Sequence, residues 1–552
     1  MGAPSVTATP KKQLGPETGG DDGGPLQVKT ARAWGASLIG TEAELVTVEG
    51  RFAEQKKGRS EVLITGLPDP IIRESRGRLI SALEENRLRV RTGRLYLNLV
   101  PAARKKSGEA LDLPLALSAA SALGYLDPRL LKDTLFLGEL GIDGRLYGVP
   151  GGTAAALVAR RSGITSIVAP LATAREAACV PEMKVYAGEH LNTVLGHLAA
   201  PGSGLARVRA PERAPEFVRT GASLDEVRGQ ATGKLALAIA AAGGHALLLV
   251  GPPGTGKSML ARGLRRMLPE PTLEERIAIT SILSAIGRWP GGLAGERPFR
   301  APHHSASDAG IVGGGVPLGP GEVTLAHCGV LFLDELPEFR RTTLEALRQP
   351  METGDVHLCR ATRRMCAPAR FHLVAAMNPC PCGYMGHDHV PCRCSEAQVE
   401  RYRSRISGPL IDRIDLRVEI HSPGLMALTR TSSDASEATG PAPSAVGTTD
   451  TDPTSEARLL EGVERAARRR LARGQTEPNA TLDGRALDRW APVTGRSRTL
   501  LGQAERRQGL SARGLQSLRR VARTIADFED RDKVDTEHLM RALALRAPIQ
   551  RL

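Results

Sequence analysis

Residues 251–258 read GPPGTGKS, and this segment constrains the fold of the chain more than any other. It follows the apolar run Ala246–Val250, which is short enough for a buried strand, and it precedes the helix-compatible residues Met259–Arg262. Between a strand and a helix, glycines let successive backbone N–H groups turn towards phosphate oxygens, and the helix N-terminus adds partial positive charge. A glycine-rich turn without a ligand is the alternative, but this context favours a nucleoside triphosphate site.

The expected contacts follow from the chemistry of each residue type. Lys257 is expected to neutralise the β- and γ-phosphates, and the Ser258 hydroxyl is expected to ligate Mg²⁺. The predicted ATP contacts are Gly251, Pro252, Pro253, Gly254, Thr255, Gly256, Lys257, Ser258 and Asp334.

Two later apolar runs end in polar side chains. Val330–Leu333 is followed by Asp334 and Glu335, which predicts a magnesium-directed Asp334 and a Glu335 that polarises the attacking water. The run His372–Met377 ends in Asn378, whose amide could hold the same water. A plain turn before Pro379 is the alternative for Asn378.

Length and composition favour a multidomain chain that is not embedded in a membrane. The chain has 552 residues, too many for one core, and its net charge of +14 favours a polyanionic partner, although genomic base bias can also produce such an excess. The first 25 residues lack an apolar core, so we expect no secretory signal and a cytoplasmic location. The longest apolar stretch contains Gly243, Gly244 and His245 and is not expected to span a membrane.

Shifts in composition along the chain predict its organisation. The expected segments are a disordered tail over 1–28, an α/β domain over 29–199, a linker over 200–220, a nucleotide domain over 221–421, a flexible insertion over 422–455 and a helical ending over 456–552.

Several segments together carry a resemblance to a known family. The order of Asp225–Gln230, the phosphate loop, Asp334-Glu335 and Asn378 resembles an AAA+ ATPase. More narrowly, the chain resembles the magnesium-chelatase-like YifB/ComM family in the segments Phe299–Asp308, Gly329–Phe339, Met377–Gly383, Arg405–Leu416 and Leu510–Gly514.

This resemblance implies an α/β fold with an AAA+ P-loop ATPase core and a helical lid, assembled as a homo-oligomeric ring, usually a hexamer. It implies that Arg413 reaches the γ-phosphate of a neighbouring subunit and that Arg513 is the second sensor on the lid. The expected catalytic set is therefore Lys257, Glu335, Asn378, Arg413 and Arg513. An intramolecular pair with Asp412 or Asp415 is the alternative for Arg413, and Arg405 is the substitute candidate.

The resemblance extends to the N-terminal region, where it implies a Lon-protease-like fold (ribosomal protein S5 domain 2-like) of the ChlI type. Lon-type proteolysis needs a serine nucleophile after the glycine at 108, but the segment reads Gly108-Glu109-Ala110-Leu111-Asp112. Ser107 lies before the glycine and fits poorly. We therefore expect a binding or assembly domain rather than a protease.

Four of the eight cysteines fall between residues 380 and 394. The pattern of Cys380, Cys382, Cys392 and Cys394 could hold one structural Zn²⁺. Reduced thiols without metal are the alternative, and His387 and His389 are possible substitute ligands.

A basic segment lies between Asp355 and Ala367. In chelatase-like and related ring ATPases a hairpin at this place points into the pore, so Arg360, Arg363 and Arg364 are expected to contact DNA phosphates. A solvated basic turn is the alternative. No chemistry is assigned to His303 and His304 from the sequence.

The function hypothesis is an ATP-driven, ring-forming motor on single-stranded or branched DNA. The resemblance to the ComM branch implies a branch-migration helicase in natural transformation or recombination. The alternatives are a magnesium-chelatase-type ATPase subunit and a remodelling factor that does not act on DNA.

Overall fold

A computed structural model describes residues 30–102, 106, 108–200, 204–210, 217, 219–315, 318–360, 363–387, 389–421 and 454–547, with the backbone alone at 359–360 and 363–364. The predicted tail at 1–28 and nearly all of the predicted insertion at 422–455 lie outside these residues. The chain divides into two compact units, of which the first runs to Ala210 and the second begins at Pro211, with Ile39–Glu42 grouped with the second.

The first unit contains a mixed sheet of eight strands in the order β10-β9-β8-β5-β1-β2-β4-β3. Its strands are β1 (Ala31–Ile39), β2 (Glu42–Glu54), β3 (Glu61–Thr65), β4 (Gly93–Val100), β5 (Thr134–Phe136), β8 (Ser166–Ala169), β9 (Lys184–Ala187) and β10 (Ala206–Val208), and a separate pair is formed by β6 (Glu139–Leu140) and β7 (Leu146–Tyr147).

The helices of this unit are α1 (Pro70–Glu85), α2 (Asp112–Ala122), α3 (Gly152–Arg161), α4 (Leu171–Ala177) and α5 (Leu191–Ala199). Helix α1 begins where Asp69 accepts a hydrogen bond from the Ile72 N–H, with Pro70 in its first turn. Helix α2 is buried nearly all round, and its leucines form the centre of the core with Leu95, Leu97 and Leu99 of β4.

Strand β10 lies within the segment that composition predicts as a linker. It pairs antiparallel with β9 at the edge of the sheet through Ala206, Arg207 and Val208. These residues are mostly exposed, so the strand is held by backbone hydrogen bonds and carries no apolar pattern for sequence analysis to detect.

The second unit contains a parallel sheet of five strands in the order β12-β15-β18-β11-β19. The strands are β11 (Leu247–Val250), β12 (Phe299–Arg300), β15 (Val330–Leu333), β18 (His372–Met377) and β19 (Leu416–Glu419), and two antiparallel pairs are formed by β13 (Gly313–Gly314) with β14 (Gly319–Pro320) and by β16 (Asp355–Arg360) with β17 (Arg363–Pro368). Because β18 lies between β11 and β15, the polar residues that follow all three strands meet at one edge.

The helices around this sheet are α6 (Ala231–Gly243), α7 (Lys257–Met267), α8 (Leu273–Ala285), α9 (Asp308–Ile311), α10 (Glu322–Leu325), α11 (Arg341–Ala346), α12 (Arg348–Thr353), α13 (Glu396–Arg403) and α14 (Gly408–Ile411). The helical ending contains α15 (Glu456–Ala472), α16 (Gly484–Trp490), α17 (Gly495–Gln508), α18 (Ala512–Phe528) and α19 (Thr536–Ala544). The predicted α/β fold class is confirmed.

A buried polar network joins the helical ending to the sheet. His245 Nδ1 lies 3.0 Å from Asp415 Oδ2, and its Nε2 lies 2.7 Å from Thr524 Oγ1. Ser517 donates a hydrogen bond to Asp415 from the same helix as Thr524. Buried polar groups that satisfy one another in this way fix relative positions, so α18 is anchored beside the start of β19.

Within the part of the chain that the structure describes, no helix is long and apolar enough to cross a membrane.

Candidate nucleotide-binding site

The phosphate loop connects the buried strand β11 to the first turn of α7. Gly254 and Gly256 have φ angles of 77° and 89°, a region that favours glycine because other residues crowd their own Cβ there. Gln230 Nε2 donates to the Thr255 carbonyl at 3.1 Å and supports the loop from the side of α6. The loop thus has the backbone conformation that directs N–H groups towards an anion at the helix N-terminus.

Lys257 is buried at the centre of the site. Its Nζ donates to the carbonyl oxygens of Gly251 and Pro252 at 2.7 Å each, and to Asn378 Oδ1 at 3.3 Å. Burial lowers the pKa of Lys257 to about 8, although the carboxylates of Asp334 and Glu335 act in the opposite direction. A bound triphosphate would supply the negative charge that favours the protonated amine.

Ser258 and Asp334 meet as the sequence predicts for a magnesium site. Ser258 Oγ donates to Asp334 Oδ2 at 2.9 Å, which brings a hydroxyl and a carboxylate together beside the loop. Both offer the hard oxygen ligands that Mg²⁺ prefers, with room left for phosphate oxygens and water. The residues present therefore fit the ion, and they would orient it between the loop and the end of β15.

Glu335 follows Asp334 in a left-handed conformation with φ of 52°. Its N–H donates to Asp334 Oδ1 at 3.0 Å, and its Oε2 lies 3.2 Å from His304 Nδ1. His304 comes after β12, at the same edge of the sheet, so this contact places it in the site. No chemistry was assigned to His304 from the sequence, because only the sheet order shows that the strand before it lies beside β15.

The two arginines assigned by resemblance share one carboxylate partner, Glu352, and do not contact the loop. Arg413 Nη2 donates to Glu352 Oε2 at 2.6 Å, and Arg513 Nη2 donates to Glu352 Oε1 at 2.7 Å. Among the described residues, no hydrogen bond or ion pair joins either arginine to the phosphate loop. The intramolecular partner of Arg413 is thus Glu352 and not Asp412 or Asp415.

Arg405, the substitute candidate, lies apart from this pair. Its Nη1 donates to Glu338 Oε2 at 2.8 Å and to the Pro337 carbonyl at 3.3 Å. Both partners lie just after the Asp334-Glu335 segment.

The four cysteines converge beside the phosphate loop. Cys380, Cys382, Cys392 and Cys394 place their sulfur atoms within 4.8 Å of one another. The sulfur of Cys392 lies 3.6 Å from those of Cys380 and Cys382. A tetrahedral zinc–thiolate site requires sulfur separations of about 3.8 Å, given zinc–sulfur bonds of about 2.3 Å, so the donor set fits the ion.

This cysteine loop packs tightly against the nucleotide site. Gly383 has a φ of 85°, and a Cβ there would come within 2.9 Å of Pro253 Cδ. Backbone N–H groups of Tyr384 and Arg393 lower the pKa of Cys382 to about 6, while burial raises that of Cys380 to about 12. A side chain at position 383 would therefore press against Pro253 of the phosphate loop.

The predicted basic hairpin is present as β16 and β17. The strands pair antiparallel, and Arg360 faces Arg363 in the last register pair before the tip. Residues 361–362 and the side chains of Arg360, Arg363 and Arg364 lie outside the described residues. The structure therefore describes the paired backbone of this hairpin, on which the three arginines lie.

Comparison with known proteins assigns the chain to a family. Models described as magnesium chelatase, subunit ChlI, subunit ChlI of Mg-chelatase, and magnesium chelatase, subunit ChlI C-terminal match residues 223–427, 53–173 and 453–546. The chain is 38% identical over 517 residues to the uncharacterized protein YifB of Salmonella typhimurium, covering 93% of this chain and 96% of that protein. It is also 38% identical over 530 residues to the competence protein ComM of Haemophilus influenzae, covering 95% and 98%.

A mycobacterial protein extends the comparison. An uncharacterized protein of Mycobacterium tuberculosis strain H37Rv is 36% identical over 519 residues, covering 93% of this chain and 98% of that protein. With the phosphate loop, the carboxylates and the parallel sheet described above, these matches identify the chain as a member of the YifB/ComM family of magnesium-chelatase-like AAA+ ATPases.

Proposed function

We propose that this protein is an ATP-hydrolysing, ring-forming motor that acts on DNA, as a branch-migration helicase in transformation or recombination. Its cofactors are ATP and Mg²⁺, which membership of an AAA+ ATPase family implies. Lys257 would bind the phosphates, and Ser258 and Asp334 would ligate the ion. Glu335 with Asn378 would orient the attacking water.

The position of the two arginines is the observation that supports assembly into a ring. Charge that develops on the transferred phosphoryl group needs a fixed guanidinium, yet Arg413 and Arg513 bind Glu352 rather than the chain's own loop. Arginines displaced from the phosphate site of their own chain can serve the site of the next copy. In a closed ring, which in the family is usually a hexamer, each nucleotide site receives arginines from the neighbouring subunit.

The case for DNA rests on charge and on the hairpin. The net charge of +14 favours a polyanionic partner, and the β16–β17 ribbon brings three arginines of the sequence to one tip. The similarity to a competence protein supports the same class of partner. The direct test compares the ATP hydrolysis rate with and without forked or four-way-junction DNA, which should raise it severalfold.

We predict that alanine at Arg360, Arg363 and Arg364 together preserves basal ATP hydrolysis and removes its stimulation by DNA. DNA affinity should fall similarly for unrelated sequences, because phosphate contacts carry no sequence information. The slope of log affinity against log salt should flatten by up to about 2.7, which corresponds to three phosphate contacts on duplex DNA.

A matched control removes the same charge elsewhere. Arg485, Arg496 and Arg498 are exposed on α16 and α17, and their triple alanine variant should retain DNA stimulation. Unchanged DNA affinity and salt slope in a folded hairpin variant would contradict the pore assignment. Loss of basal hydrolysis and thermal stability would instead indicate that the arginines are needed for folding.

We also propose that the four cysteines bind one structural Zn²⁺ that braces the segment between Asn378 and Arg413. With four protein thiolates the ion would have no open position for catalysis. We expect about one zinc per chain by atomic emission, and its loss when Cys392 and Cys394 are replaced by serine. Cys366→Ser, at an exposed position outside the cluster, should keep the zinc. A metal-free wild-type protein purified without chelators would contradict the assignment.

A chelatase-type ATPase subunit is the second candidate, since the matching family models carry the description of magnesium chelatase subunit ChlI. Such a subunit would act with partner proteins on a porphyrin. It would hydrolyse ATP at a rate that branched DNA does not change, so the DNA-stimulation experiment separates the two functions.

A further inference from the structure

We propose that Glu352 is a positioning residue that holds Arg413 and Arg513 side by side for the neighbouring subunit's nucleotide and ties both arginines to the base of the β16–β17 hairpin. This inference rests on the proposed function, in which these arginines act across a subunit boundary. It assigns a role to a carboxylate that the sequence analysis did not select.

The geometry of the bridge is specific. Each carboxylate oxygen of Glu352 accepts one hydrogen bond, Oε2 from Arg413 at 2.6 Å and Oε1 from Arg513 at 2.7 Å. The arginines lie 61 and 161 residues further along the chain, on a loop before β19 and in the first turn of α18. One side chain therefore joins the loop, the lid and α12.

The electrostatics explain why a carboxylate is needed at this point. Two guanidinium groups that converge on one phosphate repel each other, and a shared anion offsets that repulsion. Hydrogen bonding from Arg413 lowers the pKa of Glu352, with further contributions from the charges of both arginines, so the side chain is ionised at neutral pH. Ionised donors and acceptors form the shorter and stronger hydrogen bonds.

Arg413 depends on this partner for its orientation. Its side chain is 12% exposed, Nη1 donates to the Pro409 carbonyl at 2.8 Å, and Nε is buried with no hydrogen-bond partner among the described residues. Glu352 is thus the charged group that aligns the guanidinium plane. Arg513 is 43% exposed, and its one hydrogen bond within the described residues runs through Nη2, so its other edge can turn towards a phosphate.

Two further hydrogen bonds keep the two arginine-bearing elements in register. Ser511 Oγ, at the start of α18, donates to Asp412 Oδ2 at 3.0 Å, next to Arg413. Ser517 in the same helix donates to Asp415. The loop before β19 and the N-terminal half of α18 therefore form one unit, and Glu352 connects this unit to a different part of the ATPase domain.

The part of the ATPase domain that Glu352 joins to the arginines is the base of the β16–β17 hairpin. Glu352 lies in the last turn of α12, and Gly354, with φ of 76°, turns the chain directly into β16 at Asp355. The Ala369 N–H donates to the Gly354 carbonyl at 2.7 Å and closes the base from the β17 side. A displacement of the hairpin by DNA would therefore move Glu352 and, through it, both arginines.

The test is Glu352→Gln in the full-length chain, with Glu345→Gln as the matched control. Glu345 pairs with Arg348 at 2.6 Å in the adjacent helical segment and contacts neither of the two arginines. We expect Glu352→Gln to lower kcat about tenfold to a hundredfold, because a displacement of about 1 Å at a transition-state contact has this effect. Nucleotide affinity and melting temperature should match those of the parent, since Glu352 does not touch the phosphate loop.

Two further measurements separate positioning from a purely structural role. Glu352→Asp keeps the charge and should restore part of the lost kcat, whereas a packing defect would lower the melting temperature in both variants. Mixing Glu352→Gln chains with Lys257→Ala chains should recover activity, because the latter provide correctly held arginines to the neighbouring site. A kcat equal to that of Glu345→Gln, or a fall in kcat that only accompanies loss of stability, overturns the inference.

Hydrolysis measured with branched DNA tests the role of Glu352 separately from the proposed function. With branched DNA, Glu352→Gln should bind like the parent but lose the stimulation of hydrolysis, and retention of the parent's full stimulation overturns the link to the hairpin. If the parent itself does not respond to DNA, the proposed function fails. The difference in kcat between Glu352→Gln and Glu345→Gln then still decides whether Glu352 positions the arginines.

Discussion

Lys257→Ala is expected to abolish nucleotide binding. The amine lies within the phosphate loop, where it would exchange contacts to two backbone carbonyls for contacts to phosphate oxygens. A charged hydrogen bond of this kind contributes about 1.5–3 kcal/mol, and Lys257 is expected to form more than one, so affinity should fall by at least about a hundredfold. Titration with a fluorescent ATP analogue measures the loss, and the melting temperature without nucleotide shows whether the variant is folded.

Glu335→Gln should separate binding from chemistry. The substitution preserves the size of the side chain but removes the carboxylate that would polarise water, and it leaves the Ser258–Asp334 contact intact. We expect nucleotide affinity close to that of the parent and a turnover number lower by about a hundredfold to ten-thousandfold. Hydrolysis at the parental rate would remove Glu335 from the catalytic set.

Arg413→Ala is expected to bind ATP and to hydrolyse it about a thousandfold or more slowly, because a trans-acting arginine has an effect of this size in related phosphoryl transfers. The site that loses the arginine is in the next subunit. Mixtures with Lys257→Ala chains should therefore recover part of the activity, since those chains cannot bind ATP but still offer an intact Arg413.

The control for this experiment carries both substitutions. Chains with Lys257→Ala and Arg413→Ala together should not restore activity to Arg413→Ala chains, although they assemble with them. If mixtures with Lys257→Ala chains assemble and show no recovery, Arg413 serves its own subunit, and its pair with Glu352 is then a structural contact.

The elements that sequence analysis identified are those whose chemistry is local. The phosphate loop needs its glycines, lysine and serine within eight consecutive residues, and the cysteine loop needs four thiols within fifteen. Asp334, Glu335 and Asn378 each follow directly on a buried apolar strand, and parallel strands deliver their ends to one edge. Adjacency along the chain was therefore enough to predict which residues meet there.

The arginines illustrate the limit of that reasoning. Arg413 was selected by resemblance, with Asp412 and Asp415 as its nearest possible partners along the chain. In the fold Asp412 accepts from Ser511, Asp415 is occupied by His245 and Ser517, and Arg413 pairs with a glutamate 61 residues away. Nothing in the local sequence distinguishes that glutamate among the 60 acidic residues of the chain.

The sequence by itself thus predicted the family, through its resemblance to known members, and the α/β class. It also predicted candidate residues for the phosphate site, because these lie in short motifs and directly after buried strands. Tertiary structure alone decided which hydrogen-bonding partner each long side chain contacts. The contacts of His304 with Glu335 and of Glu352 with two arginines join separate elements, and they exist only once the sheet order and the packing of α18 are set. Their physical basis is the geometry of packing between elements, for which residue type and spacing carry no signal.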